Sequence, residues 1–427
     1  MSDNTYYVQL SLAAGSAPDS TFLPFVTIDL RPFPTFMRIV QAVFGVFHHF
    51  ELARELERRN HLSVIYSTFP WRRLQREGLP HSRVQTFPWF HTPEFLLQKY
   101  RIGGQWTSDQ LGYINALAFD EWMARRVPSC DAFIAISGAG LKTGQKVQQT
   151  GGIYICDRGS SHQRYQEQIV KDEYQRWGVS LPVTDERDTI REEKIYEAAD
   201  LITVPSGFAE RSFIEMGIPQ QKLRRIPYGV RLERFHPVGQ PTEGQFDVLF
   251  AGAVSLRKGF PYLLQAFAQV QHSAKRLRVA GAMRPDLEAV LSRLPQQNVE
   301  FLGSIPQDRL IELMSTSTVM VLPSIEEGLA LVQGQAMACG CPVIASTNTG
   351  SEDLFTDGIE GFIVPIRDTQ ALSHRMQQFA DDPSLRQRMS QAALSRVKSF
   401  GGWKEYGDQW ERLLLDVTGR RLSPDPE

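Results

Sequence analysis

Val321-Leu-Pro-Ser324-Ile-Glu326-Glu327-Gly328 leaves an apolar strand pattern, Val319–Leu322, passes a glycine-containing loop and enters a helix pattern, Leu331–Ala338. A short apolar run that gives way at once to a loop and a helix reads as a buried strand of a parallel sheet. Two more stretches repeat the plan. Leu249-Phe-Ala-Gly252-Ala-Val-Ser-Leu-Arg257-Lys258-Gly259 leads to a helix at Tyr262, and Ile344-Ala-Ser-Thr347-Asn-Thr-Gly350-Ser-Glu352-Asp-Leu follows a third strand. Free amides at helix N-termini bind anions, and glycine lets a phosphate approach the backbone. Arg257 and Lys258 add two cations beside the first loop, enough to offset a diphosphate of about two negative charges. Parallel α/β folds bind nucleotides outside the carboxyl ends of their strands. Any one such loop reads as a tight turn, and an exposed Arg-Lys pair reads as a solvated face. Three loops in one domain, one with adjacent cations, point to a phosphate site.

Outward from this region the alternation continues. Asp247–Ala251, Arg278–Ala280, Val299–Leu302, Val343–Ala345 and Phe362–Val364 read as strands, with helices at Tyr262–Gln271, Leu310–Met314 and Gln370–Ala380. A closing helix spans Trp403 to Leu415. Upstream, a first strand lies within Met37–Gly45, followed by Leu62–Tyr66, Ala132–Ile136, Ile153–Cys156 and Leu201–Val204, with helix patterns at Asn115–Arg126 and Ile190–Ala199. The prediction is α/β: two doubly wound, Rossmann-like domains facing a cleft. The expected divisions are an N-terminal extension, 1–36; a first domain, 37–235; a Pro- and Gly-rich linker, 236–244; a second domain, 245–402; and a crossing helix with a polar tail, 403–427. Met37 reads as the start of the folded domain and as a candidate start codon, the alternative being an ordered extension that caps the sheet.

Composition agrees. The chain has 427 residues, 42% hydrophobic and 22% charged, which is long enough for two cores and excludes a disordered or fibrous chain. Its 46 basic against 48 acidic residues argue against a nucleic-acid partner. Between Met37 and Lys146 fourteen Lys/Arg face nine Asp/Glu, a weak pointer to an anionic or membrane-surface partner beside the plainer reading of solvated faces. Cys130, Cys156, Cys339 and Cys341 form no CxxC pair, as expected of a reducing, cytoplasmic compartment. No apolar run approaches the roughly eighteen residues of a membrane span, and the N-terminus lacks the basic and apolar regions of a signal peptide. Phe87-Pro-Trp-Phe-His-Thr-Pro-Glu-Phe-Leu-Leu-Gln-Lys-Tyr100, with Arg72, Arg73 and Arg76 upstream, reads as an aromatic core cluster or, less readily, as a peripheral contact with the inner face of a membrane.

Lys258-Gly with Leu263-Leu-Gln-Ala-Phe267, Pro323-Ser-Ile-Glu-Glu-Gly-Leu329, Gln335-Ala-Met-Ala-Cys-Gly-Cys-Pro-Val-Ile-Ala345 and Thr349-Gly-Ser-Glu-Asp-Leu-Phe-Thr-Asp-Gly-Ile-Glu-Gly-Phe-Ile-Val-Pro365 together resemble the family 4 glycosyltransferases. Ala198-Ala-Asp-Leu-Ile-Thr-Val-Pro-Ser206 and Ile226-Pro-Tyr-Gly229-Val are similar to that family's interdomain region. The resemblance implies a GT-B fold whose last helix crosses back onto the first domain, and retaining transfer of a sugar from a nucleotide diphosphate sugar to an acceptor hydroxyl. It implies no metal and no cofactor beyond the nucleotide sugar as co-substrate, with a UDP-sugar slightly favoured. By position, Arg257 and Lys258 would hold the diphosphate beside Gly252. Glu327 would meet the donor sugar hydroxyls, Gly328, Leu329, Ala330 and Leu331 would offer amides, and Ser304 and Ile305 would pair with the base. The acceptor would be a glycan, a lipid-linked sugar or a small molecule. Alternatives on the same architecture are a nucleotide-sugar epimerase and a non-catalytic nucleotide-sugar-binding subunit.

Two departures stand out. The family's second glutamate, which usually binds the ribose hydroxyls, is replaced by Gln335, and an arginine common after the first glycine is replaced by Ala253. A glutamine accepts a ribose hydrogen bond without the charge-assisted strength. In the first domain the acceptor-side candidates are Gly45 and His48 after the first strand, and the loop Arg158, Ser160, Ser161 and His162. A histidine at a helix start also serves as a cap, and the second loop also reads as a polar turn with Ser161 capping the next helix.

Overall fold

The computed structural model describes residues 36–93, 104–181, 185–230 and 233–419, and the unit beginning at Phe36 contains them all. The expected extension lies outside the described residues up to Thr35, as do Glu94–Tyr100 of the aromatic segment and the tail from 420.

Two parallel sheets organise the chain. The first contains β1 (Ile39–Val43), β2 (Leu62–Ser67), β3 (Val84–Thr86), β4 (Ala132–Ile136), β5 (Ile153–Asp157), β6 (Leu201–Val204) and β7 (Leu223–Arg225), in the order β3-β2-β1-β4-β5-β6-β7. The second contains β8 (Phe246–Ala251), β9 (Lys275–Ala280), β10 (Val299–Gly303), β11 (Val319–Leu322), β12 (Val343–Ser346) and β13 (Gly361–Val364), in the order β10-β9-β8-β11-β12-β13. Each sheet reverses its winding once, between β1 and β4 and between β8 and β11, where register pairs Ile39 with Ala132 and Val319 with Val248. Every residue of β1, β8 and β11 is buried, as expected of parallel strands covered by helices on both faces. The edge strands β3 and β7, absent from the sequence prediction, are three residues long, too short to show a period.

The last helix, Gly402–Val417, joins the first domain's core rather than its own. Its Tyr406, Trp410 and Leu414 are buried with Phe50, Leu52 and Leu56 of the helix His49–Arg58. Arg59 reaches it through Asp408 and, at 3.2 Å, Glu411, while the His61 imidazole lies 2.8 Å from Glu411. A second bridge is the helix Gln163–Trp177, which follows the Ser161 loop. Its Tyr174 and Trp177 pack on the second domain's core, and the Trp177 ring meets Tyr262 edge-on at 5.7 Å. Buried Glu173 accepts hydrogen bonds from Trp177 at 2.8 Å and from Arg367 at 2.7 Å. Both bridges tie the two halves across the cleft.

Candidate functional site

At the carboxyl ends of β8, β9 and β11 lies a cavity of about 520 Å³. Its walls include Gly252, Lys258, Ser304, Ile305, Glu327 and Leu331. The floor exists because two glycine backbones cross: a Cβ on Gly281 would sit 1.7 Å from the Gly252 carbonyl oxygen, so no other residue fits there. Lys258 is 8% exposed and pairs with Glu327, whose other oxygen accepts from the Ser324 hydroxyl at 3.1 Å. A held ammonium in a glycine-floored cavity beyond a parallel sheet is a ready partner for a phosphate. Leu329 also lines the cavity.

Not every predicted donor residue is there. Arg257 does not line this cavity; its guanidinium donates to the Glu326 carbonyl at 3.0 Å and to its carboxylate at 3.2 Å. The Ala330 amide donates to the Thr349 carbonyl at 3.2 Å, so it is already engaged. Gln335 lines a neighbouring cavity of about 320 Å³ with Arg234, Gln307 and Trp403. Gly328 faces the other half: a Cβ there would lie 2.3 Å from the Gly159 carbonyl oxygen, and its own carbonyl accepts from the Ser206 hydroxyl.

Glu326, to which sequence reading gave no role, ties the halves together. It is fully buried and accepts from the Ser160 and Ser161 hydroxyls, each at 2.7 Å, and from Gln166 at 3.0 Å. Burial works to raise its carboxyl pKa, but Arg257, the two serine hydrogen bonds and Arg158 outweigh that and hold it below the usual range. The adjacent glutamates thus divide the work, Glu327 facing the cavity and Glu326 the partner domain. Ser160 and Ser161 are therefore occupied by Glu326. The cap of the helix Gln163–Trp177 is His162 and not Ser161, its Nδ1 accepting from the Arg164 amide at 3.2 Å. Burial foremost pushes the His162 pKa down to about 4.

Across the cleft a second cavity, about 680 Å³, is walled by Phe44, Phe47, His48, Arg158, Tyr228 and Trp403, among others. Leu331 lines both cavities, so they adjoin. Gly45 supplies the turn after β1 at φ 77°. His48 does not cap its helix; its Nε2 lies 2.7 Å from the Asp157 carboxylate, which also accepts from Thr203 at 2.7 Å. Buried His49 places its Nε2 3.4 Å from the same carboxylate, and burial, then the His48 charge, push its pKa down to about 3. His48, His49 and Asp157 bring ligand atoms within 4.8 Å of one another, a set able to hold a cation.

Residues 233–396 match the glycosyl transferases group 1 family. The resemblance read from the sequence is borne out, and the matching half is the one that builds the Lys258 cavity. D-inositol 3-phosphate glycosyltransferase of Streptomyces avermitilis is 30% identical over 237 residues, 50% of this chain and 51% of that protein. The chain thus matches about half the length of that relative. Sucrose-phosphate synthase from Thermosynechococcus elongatus superposes with a TM-score of 0.66 at 20% identity, over 90% of this chain and 99% of that one. HepE of Anabaena, solved in complex with UDP and glucose, gives 0.64 at 15% identity, over 89% and 100%. The fold is GT-B, as expected, and residues 233–396 form the side of the cleft that holds the Lys258 cavity.

Proposed function

We propose that this protein transfers a sugar, with retention, from a nucleotide diphosphate sugar to an acceptor hydroxyl. The observation that carries the reading is the Lys258–Glu327 pair in a glycine-floored cavity, within residues that match the group 1 family and adjoining a second cavity on the other domain. The Lys258 ammonium offsets charge on the departing diphosphate, helped by the amide of Leu329, and Glu327 orients the donor sugar. In a front-face transfer the leaving phosphate oxygen takes the acceptor proton as the sugar develops oxocarbenium character. The protein's work is then positioning and leaving-group stabilisation, with no bound metal called for. Retaining glycosidases instead need two carboxylates flanking the bond, and Glu326 is spent on the other domain.

A UDP-sugar is the favoured donor, supported by the likeness to HepE, whose structure holds UDP and glucose. The acceptor is a glycan, a lipid-linked sugar or a small molecule. A cytoplasmic setting, with room for a peripheral contact at the inner face of the membrane, is supported by four unpaired, buried cysteines. No helix among the described residues is long and apolar enough to cross a membrane. Incubation with UDP-, GDP- and ADP-sugars and a cell extract as acceptor source tests the reading through nucleotide release. Release from one donor, with the sugar found on a new product, is expected; nucleotide sugars left intact or merely epimerised would overturn it.

A further inference from the structure

The cavity on the first domain is walled by aromatic rings, and one of them is held at a cost. Phe47 has φ 43° and is 64% exposed. A bulky aromatic in the left-handed region is an outlier, and such strain gathers where ligands are clamped. Phe47 belongs to none of the hydrophobic clusters among the described residues, so packing does not account for its place. Trp403, from the crossing helix, and Tyr228 supply further ring surface to the same cavity.

The charges on that wall are already matched. Arg158 donates through Nε to the Ser161 carbonyl at 2.9 Å, through Nη1 to Ser137 at 3.1 Å and to Glu192 at 2.9 Å, and through Nη2 to Gln163 at 2.9 Å and Gln166 at 2.7 Å. Glu51, the other lining carboxylate, pairs with Arg54 at 2.5 Å. A phosphate needs charge-assisted donors; among the described residues lining this cavity, Arg158 has committed its own and the His48 Nε2 is held by Asp157 at 2.7 Å. Glu192 accepts from Arg158 with both oxygens and from the Tyr196 hydroxyl with Oε2, so its Oε1 keeps a lone pair for a further hydroxyl.

We propose that this cavity takes the acceptor as an uncharged sugar ring, packed by its C–H face on Phe47 and Trp403 with a hydroxyl donating to Glu192, and that it rejects phosphorylated acceptors. Ring-lined pockets with a few placed polar groups suit such a ligand, apolar on its faces and polar at its edge. The proposal rests on the transferase reading for its role in catalysis.

The test titrates the protein, with and without UDP, against methyl glucoside, galactoside and mannoside and against glucose, galactose and mannose 6-phosphates, by saturation-transfer NMR. UDP affinity is measured in parallel. At least one neutral glycoside should bind about tenfold or more tightly than any of the phosphates. Equal or tighter binding of a phosphate, or no binding of any neutral glycoside, overturns the proposal. Failure of UDP to bind would instead strike the donor reading, and the titration without UDP would still decide this one. Phe47→Gly separates ligand contact from fold. Glycine accepts the positive φ, so the melting temperature should hold or rise, UDP affinity should stay, and glycoside affinity should fall about 3- to 10-fold, the worth of one aromatic contact. A lowered melting temperature with glycoside binding intact would assign Phe47 a structural role and overturn its part.

Discussion

The two cavities that meet at Leu331 are built in different ways. The Lys258 cavity is assembled from loops that each follow their own strand, so Gly252, Lys258 and Glu327 sit within a few residues of β8 or β11. The Phe47 cavity draws on Phe44 and Phe47 after β1, Arg158 after β5, Glu192 on a helix, and Trp403 from the far end of the chain. One site is drawn from a single domain, with its floor fixed by backbone geometry. The other exists only once the crossing helix and Glu326 hold the halves together. Changes on the donor side should therefore strike chemistry, while changes at the seam should strike closure and stability.

The largest effect expected from that contrast is Glu327→Gln. It removes the carboxylate that holds Lys258 and should lower turnover by about 10³-fold, with the melting temperature nearly unchanged; nucleotide-release kinetics beside thermal unfolding check this. Next comes Gly328→Ala. Its Cβ would meet the Gly159 carbonyl oxygen at 2.3 Å and Ser160 Cα at 2.5 Å, forcing the seam apart. A misplacement near 1 Å costs about 10²-fold in rate, so turnover should fall on that scale while each half stays folded. Small-angle scattering should show a wider envelope; a fully active, equally compact variant would mean that the seam does not govern catalysis.

Glu326→Gln tests the same seam through stability. Removing one charge of a buried, paired set costs about 3–5 kcal/mol, an upper bound here because glutamine keeps some of the hydrogen bonds. The carboxyl of Glu326 is held below its ordinary value in the folded protein. Its contribution is thus present above the unfolded glutamate pKa of about 4.3 and is lost as pH falls through the lowered folded value. The stability gap between wild type and variant should be full at neutral pH and close on acidification. A gap that does not change with pH would remove the charge from the explanation. The smallest effect belongs to Gln335→Glu. Because Gln335 lines the neighbouring cavity, nucleotide affinity should change by less than about fivefold, the scale of one exposed charge-assisted hydrogen bond, as read by titration calorimetry.

The same contrast decides what could be read from the sequence. Interior strands were legible because parallel strands covered on both faces are unbroken apolar runs, and β4, β6 and β11 fall where the pattern puts them. Gly252, Lys258 and Glu327 lie in loops that follow recognisable strands, whereas Ser304, Ile305, Leu329 and Leu331 are placed at the site only through the family resemblance. The orientation of Arg257 was not, since its partner Glu326 lies 69 residues away. Nor was the role of Glu326, whose serine partners are 165 and 166 positions upstream. The helix Gln163–Trp177 packs Tyr174 and Trp177 against the other domain, a partner that local sequence does not name. Phe47 and Trp403 share a wall only through the tertiary fold.

The most direct test of the account compares Lys258→Ala with wild type, measuring donor binding and nucleotide release on the same sample. The account predicts that release of nucleotide falls by about 10³-fold or more, while the fold is kept and the donor still binds. Full turnover in Lys258→Ala would contradict it.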